Sequence, residues 1–469
     1  MAQWQASKQQ NKRGISDFSG GVNTGSPSFY IQDSQSVDEY GFDTDEHPSL
    51  KTRKGRTPYG SLTAGITRLL TNFGNTHLVR AIGTALSYNS SGTTWTAIAG
   101  TYSNEDWDAT NFDVSGAALI ITNATDGPYY WNGTALAALT GSPPDGKYIA
   151  SDNRRVYMSV GDTVSYSAFQ DALDWTTAEN SGTVQYYTSN GGDVTALKAF
   201  EGQIWLFKKD AFALLFHTGD SRATHRLVEG SNDIGCVAYK TVQEVGSYLF
   251  WLGQQDVYIG AGGAAAPIGE PIRAFLDDIN TTHIDKCFGG TDGIRYYLGL
   301  VTGANTEPDT LLVYDPRRKR EKWHVQSQIT DLRYSATLNN VWYNGGATGQ
   351  TYKMNDGTTD NGTAIPYMYE TKDYDEGFPE AEKEYFELHL QITAPTGTTM
   401  TVQASVDQGT TYTTIGDAIT VSSVAQNVNV IIPLDTVPLG NWIRFKISGS
   451  GQINIYRIER YFNVLPVQH

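Results

Sequence analysis

Apolar residues along this chain fall in short runs that come in pairs around a polar break. The clearest pair lies in residues 202–219, GQIWLFKKDAFALLFHTG. Residues 203–208 are rich in β-branched and aromatic side chains, Lys209 and Asp210 interrupt them, and 211–216 form a second apolar run closed by Thr218 and Gly219. This pattern predicts a β-hairpin. Because both runs are apolar on both faces of the pleat, the hairpin is expected to be covered on each side by another sheet.

Six further pairs repeat the unit: 78–82 with 85–88, 118–122 with 129–131, 155–159 with 162–167, 246–252 with 256–259, 294–300 with 310–314, and 341–343 with 350–354. Their second strands begin near Thr84, Asp126, Asp162, Asp210, Asp256, Asp309 and Gly349, a mean spacing of about 44 residues. A period of roughly 40–50 residues built from short strands and hairpin turns predicts a β-propeller of about seven repeats. Weaker flanking strands are expected at 66–71, 94–98, 194–200, 237–242 and 332–334. Closure of the seventh repeat is open between residues 360–373 and the amino-terminal segment. Ile272, Phe275, Leu276 and Ile279 fall at helical spacing in 271–280, with Asp277 and Asp278 off the stripe, and predict one helical turn packed over a repeat edge.

The pattern changes near 357–362. Beyond it, Phe386, Leu388, Leu390 and Ile392, then Val402, Ala404 and Val406, then Val428, Val430 and Ile432 alternate with polar residues, as period-two strands do. This predicts a small β-sandwich, jelly-roll-like, following the propeller. Residues 1–58 lack paired runs and carry loop signals, so they read as an extended arm. The expected organisation is therefore all-β: arm 1–58, propeller 59–373, sandwich 374–469. Within the last, Ser405, Asp407, Gly409 and Thr411 resemble the Asp-box turn of sialidases and other propellers, here expected as a fold device.

Composition supports this class. Forty-eight Gly and 28 Tyr with 18% charged residues indicate many turns and much sheet surface. A formal charge of −16 argues against general affinity for nucleic acid, which needs basic grooves. No run of about 18 apolar residues is present, so no membrane insertion is expected. The first fourteen residues carry charge without an apolar core; they do not read as a signal peptide, and the product is expected to stay in the cell that makes it. Cys236 and Cys287 are the only cysteines and read as buried thiols.

The order Asp17-Phe18-Ser19-Gly20-Gly21-Val22-Asn23-Thr24, then Ile31-Gln32-Asp33, Val37-Asp38, Phe42-Asp43 and Leu50-Lys51-Thr52-Arg53-Lys54-Gly55, resembles the opening of propeller-like virion proteins of tailed bacteriophages, tail nozzle proteins among them. The resemblance continues through Arg155-Val156-Tyr157, the segment 165–175 ending in Asp174-Trp175, Leu206-Phe207-Lys208-Lys209, and 311–315 with Trp323, and so covers roughly 14–345. It implies a structural virion protein forming a homo-oligomeric ring, with a hexamer as the family-based expectation. Its partners would be other tail, neck or portal-adaptor proteins, with viral DNA passing through at most. It supplies no catalytic residues.

The residues themselves offer little chemistry. No G-x-S-x-G, H-E-x-x-H, Walker A or EF-hand pattern occurs, the eight His are scattered, and no cofactor, metal site or enzymatic activity is expected. Asp373/Asp375 and Glu380/Glu382 could be imagined as glycosidase carboxylates, but they read as an exposed acidic stretch. The sharpest charge feature is the basic tip Arg317, Arg318, Lys319, Arg320 and Lys322, a candidate interface to an acidic neighbouring subunit or to DNA phosphates. An alternative function is recognition of a receptor or carbohydrate at the tail tip, with Tyr129, Tyr130 and Trp131, or Tyr367, Tyr369 and Tyr374, stacking on sugars.

Overall fold

The computed structural model describes residues 11–466 except 153, 221–222, 318–321 and 328–330. It is all-β, with 49% strand and 3% helix. Among the described residues, six sheets have four strands and three have six.

Seven of these sheets follow one another along the chain, and every expected hairpin forms the middle of one. The fourth sheet pairs Ala196–Phe200, Gln203–Phe207, Phe212–His217 and His225–Ser231 in simple antiparallel order. Its hairpin is apolar on both faces because each face belongs to a different core. Ile204 and Leu206 pack with Tyr157 and Val164 of the third sheet, whereas Trp205 and Phe207 pack with Leu249 and Trp251 of the fifth. The same division recurs between successive sheets. It also recurs between the seventh and the first, where Tyr334, Ala336 and Leu338 meet Leu70 and Leu78. Full burial of one such large side chain stabilises the fold by about 1.5–3 kcal/mol.

Except between the fourth and fifth sheets, the first strands of neighbouring sheets lie side by side. Thr67–Phe73 adjoins Asp108–Asp113, which adjoins Tyr148–Ser151, which adjoins Ala196–Phe200; Gln243–Val245, Phe288–Thr291 and Tyr334–Leu338 continue the series back to Thr67–Phe73. Between the fourth and fifth sheets the expected strand at 237–242 is instead a 3-10 turn, Tyr239–Thr241, followed by the short strand. The Ala238 carbonyl explains it, accepting both the Thr241 N–H and the Thr241 hydroxyl and curling the backbone.

The remaining two six-stranded sheets share one core containing Phe42, Leu50, Tyr367, Leu388, Leu390, Val402, Phe445, Ile447, Ile455 and Ile458. One runs through Ala425–Pro433, Lys383–Ala394 and Asn454–Val464; the other contains Thr413–Thr420, Thr399–Ser405, Arg444–Ser450 and Pro366–Thr371.

Residues expected as an arm are built into both lobes. Asn11–Ile15 pairs with Asn454–Val464, Gln35–Tyr40 with Pro366–Thr371, and Leu50–Thr52 with Asn454 and Ile455. Arg56–Pro58 then serves as the fourth strand of the seventh sheet, against Thr351–Met354, and Asp360 adds a parallel bridge to Arg56. Both candidate segments thus contribute strands to the seventh sheet. The lobe boundaries differ from 58 and 373, since Pro366–Thr371 and the strands before residue 53 belong with the carboxy-terminal sheets. Apolar positions here, such as Ile15, Phe18, Phe42 and Leu50, are spread too thinly to show a period, yet each is buried.

The helical stripe yields a 3-10 turn, Glu270–Ile272, and a five-residue helix, Arg273–Asp277. Ile272 and Leu276 are buried, with Phe275 and Ile279 packed against the core between the fifth and sixth sheets.

Candidate functional site

Residues of the seven first strands line an open cavity of about 410 Å³. Thr71, Asn72, Asp108, Thr110, Ser151, Lys198, Gln243, Glu244, Thr291 and Thr337 are among its lining residues. Many of these polar groups bond one another or the backbone: the Thr110 and Ser151 hydroxyls lie 2.7 Å apart, Thr337 Oγ1 donates to the Thr291 carbonyl at 2.6 Å, and Gln243 Nε2 donates to the Gly289 carbonyl at 3.2 Å.

Asp108 differs from its neighbours. Its carboxylate accepts the backbone N–H groups of Ala109 at 2.9 Å and Ile149 at 3.0 Å. Burial nevertheless outweighs these bonds and raises its pKa to about 6. Two residues earlier Asp106 behaves in the opposite way. It meets Arg68 at 3.1 Å, Lys240 at 3.1 Å and Arg333 at 3.5 Å, and Lys240 first among these cations offsets its burial and lowers it to about 2. Arg333 continues to Glu307 at 2.7 Å, and Glu307 to Lys286 at 2.9 Å. One carboxyl able to exchange a proton near pH 6 thus adjoins a chain of compensated ions.

A second polar assembly joins the two lobes through the segment that carries the family resemblance. Phe18 enters the two-sheet core, while Val22 enters the core of the fifth and sixth sheets. Gly21, at φ +70°, lies so close to the Trp323 carbonyl that any Cβ would collide with it. Thr24 donates its N–H to the Pro271 carbonyl at 2.7 Å and accepts the Ala274 N–H on Oγ1 at 3.1 Å, which holds the short helix. Arg53 grips Asp360 through both terminal nitrogens, at 2.9 and 2.5 Å, and donates Nε to the Gln326 carbonyl at 2.7 Å. Arg295, in the turn just before Tyr296–Leu300 of the sixth sheet, meets Asp43 at 2.5 Å, and buried His324 lies 2.6 Å from buried Glu39 through Nδ1.

The residues expected as sites fare differently. Arg317 is exposed and pairs with buried Asp315, with Nη2 to Oδ2 at 2.9 Å, and Lys322 is half-buried. Arg318, Lys319 and Arg320 lie outside the described residues. Glu380 and Glu382 are exposed, but Asp373 is not part of an exposed stretch: it is buried and bound by Arg444 at 3.0 and 2.6 Å. Its environment corrects the expectation, because a buried guanidinium between Glu370 and Asp373 needs both carboxylates. Tyr367, Tyr369, Tyr374 and Trp131 are core residues, so they present no sugar-stacking face, while Tyr129 and Tyr130 are half-buried.

Asp407 accepts the Thr411 N–H at 2.9 Å and the Thr411 hydroxyl at 2.6 Å, and Ser405 Oγ accepts the Gly409 N–H at 2.9 Å. These bonds close the hairpin between Thr399–Ser405 and Thr413–Thr420. Both cysteines are buried free thiols, pushed up to about 12 by burial. Among the described residues, no three His, Cys, Asp or Glu side chains gather as metal ligands, and no helix is long and apolar enough to cross a membrane.

Sequence reading missed the cavity charges. A signal was present: Arg68, Asp106, Asp108, Lys198, Lys240 and Arg333 all stand in or beside the first strand of a repeat.

No family model and no curated protein matches the chain. Solved structures with similarity include the extracellular domain of a protein described as a hybrid two component system from B. thetaiotaomicron, at 9% identity and TM-score 0.42. The match covers 65% of this chain and 40% of that one. A second structure of that extracellular domain gives 10% identity and TM-score 0.42, over 64% and 40%. The computationally designed protein Ika8 matches at 12% identity and TM-score 0.39, over 63% of this chain and 98% of its own.

Proposed function

We propose that the seven consecutive sheets are blades of a β-propeller closed by Arg56–Pro58, and that the two six-stranded sheets form a β-sandwich docked against it. We further propose that this body is a structural virion protein of a tailed bacteriophage, assembled as a ring in the tail or neck. A virion location follows from that role, with adjoining tail, neck or portal-adaptor proteins as partners.

One observation carries the reading. The motifs that resemble phage virion proteins, residues 17–24 and 50–55, build the tie between the lobes: Phe18 and Val22 enter two different cores, Thr24 holds the helix at Pro271 and Ala274, and Arg53 binds Asp360 and Gln326. Residues used this way make a rigid two-lobed unit, suited to passing force between neighbours. A rigid rim supports lateral head-to-tail contacts, which close into a ring when the rotation is right.

Electron microscopy of the purified full chain, with mass from light scattering, tests it. A closed ring or stacked rings is the expected result. Monomers that bind host cells or wall polysaccharide would overturn it in favour of receptor recognition. Core placement of Tyr367, Tyr369 and Tyr374 gives that second reading no support.

A further inference from the structure

We infer that copies of this chain join by sheet extension, the edge strand Ala425–Pro433 of one copy receiving the edge strand Asn11–Ile15 of the next. This deepens the proposed ring and rests on that reading.

Among the described residues, both strands are unpaired on one side of the same sheet. Among the described strands, Ala425–Pro433 pairs only with Lys383–Ala394, and Asn11–Ile15 only with Asn454–Val464. The first edge, AQNVNVIIP, has one irregularity, a bulge at Asn427 (φ +52°) where its register against Lys383–Ala394 shifts. It is long, uncharged and without proline until its last residue, and Val424, Val428 and Ile431 at it are 60%, 37% and 54% exposed. Such an edge is a template for another strand. The second edge carries Lys12 and Arg13, and its first four residues are exposed.

Charge matches the two. No Lys or Arg occurs between Lys383 and Arg444, whereas Glu384, Glu387, Asp407, Asp417 and Asp435 do. Asp435 lies just beyond this edge, and Asp417 lies on Thr413–Thr420, the edge strand of the facing sheet that precedes it in the chain; both are exposed. In this pairing the edge carrying Arg13 and Lys12, the latter also bridged to Glu459 of its own copy at 2.9 Å, meets the acidic end of the next.

Strand direction matches as well. Every step across Asn11–Ile15, Asn454–Val464, Lys383–Ala394 and Ala425–Pro433 is antiparallel. Four strands alternate, so the last runs opposite to the first. Two copies in the same orientation then meet as an antiparallel pair, the stronger ladder. The contact uses different patches on each copy and therefore propagates head-to-tail, closing into a ring when the rotation is right.

The test uses full-length protein in three forms: Ile431→Lys, the double variant Lys12→Glu/Arg13→Glu, and the double variant Asp417→Lys/Asp435→Lys. Circular dichroism melts confirm that each folds. Each is expected to raise the concentration at half-assembly at least tenfold, and an equimolar mixture of the two charge-reversed doubles is expected to restore assembly. Should Ile431→Lys not fold, the exposed charge variants carry the test alone. Rings that form equally well in all variants overturn the edge contact while leaving the ring reading intact. Two-fold dimers sensitive only to Ile431→Lys overturn head-to-tail pairing. A wild-type chain that stays monomeric overturns both.

Discussion

In the first through sixth sheets of the seven-sheet lobe, each strand finds its partners within a few dozen residues, as Gln203–Phe207 does with Ala196–Phe200 and Phe212–His217. In the two-sheet lobe, Asn454–Val464 pairs with Asn11–Ile15 and Leu50–Thr52, from the opposite end of the chain. The first arrangement costs little loop-closure entropy for each sheet; the second must order both ends before its core is complete. Local sheets can therefore form early, whereas the two-sheet lobe and the seventh sheet wait on residues 11–58. The segment that looks least structured is the one on which both lobes depend.

The strongest way to break this contrast is to delete residues 1–58. Loss of Asn11–Ile15, Gln35–Tyr40, Leu50–Thr52 and Arg56–Pro58 is expected to abolish the cooperative melt of both lobes, read by calorimetry. A surviving native transition would show that the tie is dispensable.

Next come paired core variants, one in each lobe. Glu376→Ala strands Arg460, whose Nε lies 2.6 Å from Glu376 in a fully buried pair, and is expected to cost about 3–5 kcal/mol in chemical denaturation. Trp205→Ala is expected to cost about 3–5 kcal/mol by cavity formation. Hydrogen exchange should separate them. Trp205→Ala loosens the fourth and fifth sheets, whereas Glu376→Ala loosens strands from both chain ends together.

Asp108 gives a pH signature confined to the seven-sheet lobe. Its folded-state pKa near 6 lies above the ordinary carboxylate value, so between about pH 4 and 6 the native state holds the extra proton. Stability contributed by this group is therefore full at low pH and is lost as pH rises through 6. Asp108→Asn is expected to remove that slope and to raise stability at pH 7 by about 1–2 kcal/mol, less than the shift alone implies because the side chain, though desolvated, is half-buried at the cavity wall. An unchanged slope would remove Asp108 as its source.

The smallest effect tests a device confined to one hairpin. Asp407→Ala should lower the melting temperature by roughly 1–3 °C, with exchange rising only at the turn after Ser405. Wild-type Asp407, held at about 2 by its Thr411 and Ser405 bonds, contributes above ordinary carboxylate values, and this is lost as pH falls toward 2.

Much of the local architecture was legible. All seven hairpins, the alternating strands after residue 384, the Asp407 turn and the buried stripe Ile272–Leu276 follow from periods of two or from i, i+4 spacing, which are properties of neighbouring residues. Asp373 was not legible as a buried ion, because its partner Arg444 is 71 residues away and nothing near Asp373 announces it. The cavity charges showed only as isolated residues in the weakest strands of the repeat.

Sequence alone determined that this chain is all-β, where its hairpins turn, and that their two apolar faces require sheets on both sides. Only tertiary structure decided that Arg56–Pro58 completes the seventh sheet, that residues 11–52 belong with the carboxy-terminal strands, and that Asp106 and Asp108, two residues apart, have opposite shifts. The reason is physical: backbone periodicity is written in consecutive side chains, whereas pairing across hundreds of residues and the field at a carboxylate depend on which distant groups the completed fold brings within a few ångströms.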